Sequence, residues 1–202
     1  MIVAVEGPSA AGKTTWCRAS GLEFVAEYTA TGREPDGSDL EEQAAYWVSV
    51  NSRRWDHARE LEEVTGIAVC DSDPLKLHYS WCLAAVGAAP FARFEYELAA
   101  VRGAFAQGRL GFPDVVLLSI PDAQQLAAQR AGDATRRRRH FDLHARLSEP
   151  LAEWYAALGR LDANRIVDGF PSALDLDTMA PPCADRYDLD LLDSMVDELP
   201  YL

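Results

Sequence analysis

The run Gly7-Pro8-Ser9-Ala10-Ala11-Gly12-Lys13-Thr14-Thr15 holds residues whose types and spacing suit one kind of chemistry. It matches G-x-x-x-x-G-K-[ST], the phosphate-cradling pattern known as a P-loop. Gly7 and Gly12 let main-chain N–H groups approach phosphate oxygens, with Ser9, Ala10, Ala11 and Thr15 completing the cradle. Lys13 would reach the β- and γ-phosphates, and the Thr14 hydroxyl would bind Mg²⁺. A second cluster, Arg130 followed by Arg136-Arg137-Arg138-Arg139, could lay guanidinium groups over phosphates. A third is Cys70-Asp71-Ser72-Asp73, where an apolar run ends in acids. Asp71 there could hold Mg²⁺ through water or orient Lys13. Asp73, just before Pro74, reads as a helix N-cap.

These residues need a scaffold that brings them together. Short apolar runs at Ile2–Glu6, Glu23–Glu27, Ile67–Asp71, Val115–Ser119 and Arg165–Asp168 read as strands. Helical patterns fill Lys13–Ala19, Asp39–Val64, Pro74–Ala85, Pro90–Gln107, Ala123–Arg130 and Phe141–Leu161. This alternation predicts an α/β fold, a three-layer α/β/α P-loop NTPase architecture with a five-stranded parallel sheet and an arginine-rich lid. Ligands of such sheets bind beyond the carboxyl ends of the strands. The P-loop domain is expected to span residues 1–170, with the lid at about 131–140. Residues 171–202 form an acidic tail, either packed on the domain as a short helix or partly disordered.

Composition narrows the partners. The net charge of −13 argues against nucleic-acid polymers and anionic membranes, which attract basic surfaces. None of the four cysteines forms a C-x-x-C pair, which disfavours a zinc site and fits free thiols. No apolar run approaches membrane-spanning length and no signal peptide precedes the first strand, so a cytoplasmic location is expected. The N-K-x-D motif with which GTPases read guanine is absent. A small chain with arginines late in its sequence fits a small-molecule kinase, in which a closing lid neutralises charge and excludes water. The same arginines would read, without a ligand, as the solvated start of a helix.

Several segments resemble thymidylate kinases. Val3-Ala4-Val5-Glu6-Gly7 entering the P-loop is similar to their opening, and Arg33-Glu34-Pro35-Asp36-Gly37 resembles their R-E-P-G-G segment. Arg54-Trp55-Asp56-His57 resembles their R-A-Q-H segment, and Asp71 sits where their D-R-[YS] motif begins, with Ser72 in place of the arginine. The related deoxynucleoside kinases place a glutamate after the second strand, where Glu27 stands. The resemblance implies transfer of the γ-phosphoryl group of ATP, with Mg²⁺, to a small acceptor, a nucleoside monophosphate or nucleoside.

The acceptor depends on charge. A monophosphate needs arginines to hold its anion, and Arg33 and Arg54 are the candidates. A hydroxyl acceptor needs a carboxylate to take its proton, and Glu27 and Asp71 are the candidates. Arg54 could equally form an ion pair within its helix, Arg33 could be a solvated loop residue, and Glu27 could cap a turn. Tyr46, Trp47 and Tyr79 are candidates to line the pocket. The assigned set is therefore catalytic Lys13, Asp71, Glu27, Arg136 and Arg137, with Arg130 joining the P-loop on ATP and Thr14 and Asp71 on the metal. Acceptor contacts fall to Glu27, Arg33, Arg54, Asp71, Tyr46 and Tyr79. A homodimer is the assembly considered. The other readings are a kinase of another hydroxylated metabolite or antibiotic, and a nucleotide-binding regulatory ATPase.

Overall fold

The computed structural model describes residues 1–122, 124–125, 141–172 and 185–202. Five strands, β1 (Ile2–Glu6), β2 (Phe24–Val25), β3 (Ala68–Asp71), β4 (Val115–Leu118) and β5 (Ile166–Asp168), form one sheet in the order β2-β3-β1-β4-β5. Every pairing is parallel. β1 lies at the centre, and the crossover from β3 to β4 passes over it, so the loop after β1 sits at the topological switch point.

The strands are apolar throughout because both faces of the sheet are covered. Ile2 and Ala4 point into the larger core and Val3 and Val5 into the smaller, following the two-residue period of a strand. The larger core takes its helical side from α2 (Leu40–Thr65), α3 (Leu77–Ala85), α4 (Phe91–Ala106) and α6 (Ser148–Leu161). Trp55, Trp81 and Trp154 are fully buried there. Truncating any one of them to alanine would cost about 3–5 kcal/mol. The smaller core packs Cys17 of α1 (Lys13–Ala19) against Val3, Val69 and Leu117.

Local signals mark both ends of α2. Asp39 caps α2 by accepting from the amides of Glu41 and Glu42, and Gly66, at φ 81°, ends it in the left-handed region. Two helices differ from the pattern in the sequence. α3 begins at Leu77 rather than near Pro74, because Lys76 takes a left-handed backbone at φ 51°. Asp73 accordingly closes a turn onto the Leu75 amide instead of capping a helix. The stretch from Phe141 divides at Leu147 into α5 (Phe141–Arg146) and α6. The stretch predicted as helix over Ala123–Arg130 and the arginines Arg136 and Arg137 lie outside the described residues, apart from Gln124 and Gln125.

The last helix, α7 (Leu189–Asp197), buries Leu192 and Met195 against the larger core. Just before it, the Arg186 guanidinium bonds the carboxylates of Glu62 and Asp114, and its carbonyl accepts from the Phe112 amide at 2.8 Å. These contacts join residues 185–202 to α2 and to the approach to β4.

Candidate active site

A cavity of about 1070 Å³ opens over the carboxyl ends of the strands. One wall is the P-loop. Gly7 is required on steric grounds, since a Cβ there would meet the Ser119 carbonyl oxygen at 2.3 Å. Gly12 takes φ 92° at the N-terminus of α1, where no side chain caps the helix and no acid occupies its first turn. That leaves the positive end of the helix facing the cavity. Lys13 folds back over the loop, its Nζ donating to the carbonyls of Gly7 at 2.7 Å and Pro8 at 3.4 Å. Nearby, Trp16 Nε1 donates to the Pro171 carbonyl at 2.6 Å and its ring packs on Phe170, so the loop after β5 borders the P-loop helix.

Thr14 and Asp71, both assigned to the metal, are hydrogen-bonded to each other. Thr14 Oγ1 donates to Asp71 Oδ2 at 2.6 Å, and Asp71 Oδ1 is buried with no hydrogen-bond partner among the described residues. Burial pushes the Asp71 carboxyl above its ordinary range, against the Thr14 bond, which lowers it. A hydroxyl, a half-satisfied carboxylate and room for phosphate oxygens form a hard oxygen donor set, which suits Mg²⁺.

Beneath the loop lies a residue that motif reading passes over. Glu6, the last residue of β1, is buried. Its Oε1 accepts from the Gly7 amide at 2.8 Å, and its Oε2 accepts from the Asp73 amide at 3.0 Å. Lys13, Lys76 and His78 lie 3.8, 3.6 and 3.5 Å from its oxygens. Burial alone would raise its pKa; the charges of Lys76 and Lys13 and the Gly7 bond outweigh that and hold it well below the usual carboxylate range. His78 stays neutral, because burial drives its pKa down to about 3. Tyr155 of α6, fully buried, donates to Asp73 Oδ2 at 2.9 Å and lies 3.3 Å from His78 Nδ1. Burial raises Asp73 to about 6. Glu6 thus ties the P-loop to the loop after β3, and Tyr155 ties that loop to α6. The sequence signal for Glu6 is its place at the end of the first strand beside Gly7, and for Lys76 its being one of only two lysines in the chain.

The opposite wall carries Glu27, Tyr28, Trp47, Asn51, Arg54, Tyr79, Arg93 and Glu97. Glu27 stands just beyond β2, partly exposed to the cavity, with Oε1 3.4 Å from Lys76 Nζ. Burial opposes its ionisation, but Lys76 and then Lys13 prevail and lower its pKa. The Arg54 guanidinium is taken up by main-chain carbonyls. Nε donates to Ala26 at 3.1 Å, Nη2 to Asp71 and Ser72 at 2.8 Å each, and Nη1 to Asp73 at 3.5 Å. It therefore staples the ends of β2 and β3 together instead of presenting its donors to the cavity. Arg33 is exposed on its loop and does not line the cavity. Within the R-E-P-like stretch the organising residue is Glu34, whose carboxylate accepts from the Thr31 and Gly32 amides and the Tyr28 hydroxyl. Tyr46 lies one layer behind the wall, its hydroxyl 2.7 Å from that of Tyr28 and its ring edge-on to Trp47. Tyr79 does line the cavity and stacks on His144. Arg130, Arg136 and Arg137 lie outside the described residues.

No protein-family model and no curated protein sequence matches the chain. Solved structures do match it. Deoxyadenosine kinase from M. mycoides with bound dATP superposes with a TM-score of 0.59 at 14% identity, over 98% of this chain and 100% of that one. The same enzyme with dCMP and a flexible dCDP gives 0.57 at 12% identity, over 97% and 95%. NadR in complex with NR gives 0.53 at 21% identity, covering 98% of this chain and 51% of that one. The chain shares the α/β P-loop NTPase fold of these structures. In this fold the loop after β1, the residues just beyond β2 and the turn after β3 converge on one cavity, which Lys13, Thr14 and Glu27 line, while Asp71 lies buried beside Thr14. Among the described residues no helix is long and apolar enough to cross a membrane.

Proposed function

We propose that the protein is an ATP- and Mg²⁺-dependent kinase whose acceptor is the hydroxyl group of a nucleoside-like molecule. One observation carries this choice over a monophosphate acceptor. Among the described residues, the cations on the wall facing the P-loop are matched within the protein, while the Glu27 carboxylate faces the cavity. Arg54 is spent on carbonyls, Arg93 Nε bonds Glu97 at 3.0 Å, and Lys76 lies between Glu6 and Glu27. A phosphate brought there would meet cations already engaged within the protein, carboxylates and neutral rings; a hydroxyl would meet a base. The Tyr28, Trp47 and Tyr79 rings suit a planar group. Trp47 Nε1, buried and without a partner among the described residues, adds a donor on that wall. The solved relatives of the same fold bind dATP, dCMP and dCDP, which supports a nucleoside as the planar part.

The chain's residues would act as follows. Lys13 turns from the Gly7 and Pro8 carbonyls to the phosphate oxygens. Thr14 and Asp71 hold Mg²⁺, which supplies neutralisation of phosphate charge when bound. Glu27 accepts the proton that the acceptor hydroxyl loses as its oxygen bonds the γ-phosphorus and the bond to the bridging oxygen breaks. An ionised Glu27 is available for this at neutral pH, because its pKa is lowered. The arginines at 130, 136 and 137 keep their assignment to the transferring group. The test is ADP formation across a panel of nucleosides, nucleoside monophosphates and other hydroxylated metabolites. Stimulation by nucleosides is expected. Stimulation by a non-nucleoside alcohol alone would keep Glu27 as base and replace the acceptor. No stimulation by any of the panel would remove the kinase reading in favour of a nucleotide-binding ATPase.

A further inference from the structure

We propose that Lys76 is a positioning residue for the transfer, holding the Glu27 carboxylate in place across from the P-loop and aimed at the acceptor. The proposal rests on the hydroxyl-kinase reading above. Its geometry is specific. Lys76 Nζ donates to Ser72 Oγ at 2.6 Å and to Glu27 Oε1 at 3.4 Å, and lies 3.6 Å from Glu6 Oε2. The ammonium group is thus suspended between the hub under the P-loop and the wall across from it, and its side chain lines the cavity with Lys13. Ser72, which occupies the position after Asp71 where the thymidylate-kinase resemblance expects an arginine, supplies the hydroxyl that fixes the lysine.

The backbone agrees with a selected conformation. Ser72 and Lys76 both take positive φ, 74° and 51°, conformations that disfavour side chains other than glycine's, and the surrounding contacts hold them there. The Asp73 amide is pinned by Glu6 and the Asp73 carboxylate by Tyr155, so the turn that carries Lys76 is fixed from β1 and from α6. The groups acting on Glu27 are Lys76 from this turn, Lys13 from α1, Arg54 from α2 and, with opposite sign, Glu6 from β1. Glu27 in turn acts on Asp71 of β3. Lys76 is the strongest of the favourable partners on Glu27. Without it, only Lys13 and Arg54 would oppose burial and Glu6, and the Glu27 pKa would rise.

The experiment compares wild type with Lys76→Met, Lys76→Arg and Ser72→Ala. The expected result is a kcat lower by about 10–100-fold in Lys76→Met, with the acid limb of the pH–rate profile moved to higher pH and both restored toward wild type in Lys76→Arg. Acceptor KM stays within a few-fold of wild type. Ser72→Ala, which keeps the charge but frees it, should shift the limb in the same direction by less. A carboxyl ¹³C NMR titration of Glu27 in the ligand-free protein reads the same coupling without turnover. An unmoved Glu27 titration in both Lys76→Met and Ser72→Ala would overturn the proposal. If the NMR shift is present but no hydroxyl acceptor is turned over by wild type, the Lys76–Glu27 coupling stands and the hydroxyl-kinase reading falls.

Discussion

The two walls of the cavity are built in opposite ways. The P-loop wall comes from one contiguous segment of nine residues, whose steric needs at Gly7 and Gly12 and whose lysine and threonine declare themselves in order along the chain. The facing wall draws on the loop after β2 and on α2, α3 and α4, and its charges partner one another only once the chain has folded. On the first wall Lys13 donates to two carbonyls, which a phosphate can outcompete, and lies 3.8 Å from the Glu6 carboxylate beneath the loop. The second neutralises its cations and leaves a carboxylate exposed. On the proposed reading, the contrast separates a site for an anion from a site for a neutral hydroxyl.

The largest expected effect comes from breaking the anion side. Lys13→Ala should lower kcat by about 10³-fold or more in a coupled ADP assay, the scale seen when a cation on a transferring phosphoryl group is lost. Loss of less than tenfold would mean that Lys13 does not contact that group. On the facing side, Glu27→Gln should lower kcat by about 10²–10³-fold with acceptor KM little changed, since an amide cannot take the proton. A selective rise in KM would make Glu27 a binding residue only.

Arg54 sharpens the contrast through stability. Arg54→Ala strands the Ala26, Asp71 and Ser72 carbonyls and should cost about 2–4 kcal/mol, a fall in Tm of roughly 5–15 °C. An unchanged Tm with loss of monophosphate affinity would restore Arg54 as an anion clamp. Asp73 gives a smaller, pH-dependent effect. Its pKa rises from 3.8 to about 6 on folding, so between these values the folded state holds the proton that the unfolded state has released. Stability from this group is fully present below about 4 and is lost as pH rises through about 6. Tm measured from pH 4 to 7 should therefore fall in wild type relative to Asp73→Asn; parallel curves would contradict the buried setting. Arg33→Ala should change kcat and KM by less than about twofold, as expected of a solvated loop side chain.

The sheet was readable from the sequence because its strands are short apolar runs between helical periods, and β1 and α1 match residue for residue. β2 shrinks to Phe24–Val25 because it is an edge strand paired on one side only. The P-loop was readable because its function is carried by local backbone geometry. The bonding of Arg54 was not legible, since its type and helix position suit an anion clamp and only the approach of Ala26 and the 71–73 loop shows where its donors go. Glu6, Lys76 and Tyr155 carry no spacing signal, because they come from β1, the turn before α3 and α6. Their connection exists only in three dimensions.

The most direct measurement is a competition in which the protein receives ATP, Mg²⁺ and an equimolar mixture of a nucleoside and its 5′-monophosphate, with products resolved by mass. The two-wall account predicts that the nucleoside is converted to its monophosphate with the higher kcat/KM. Preferential formation of the diphosphate from the added monophosphate would contradict it.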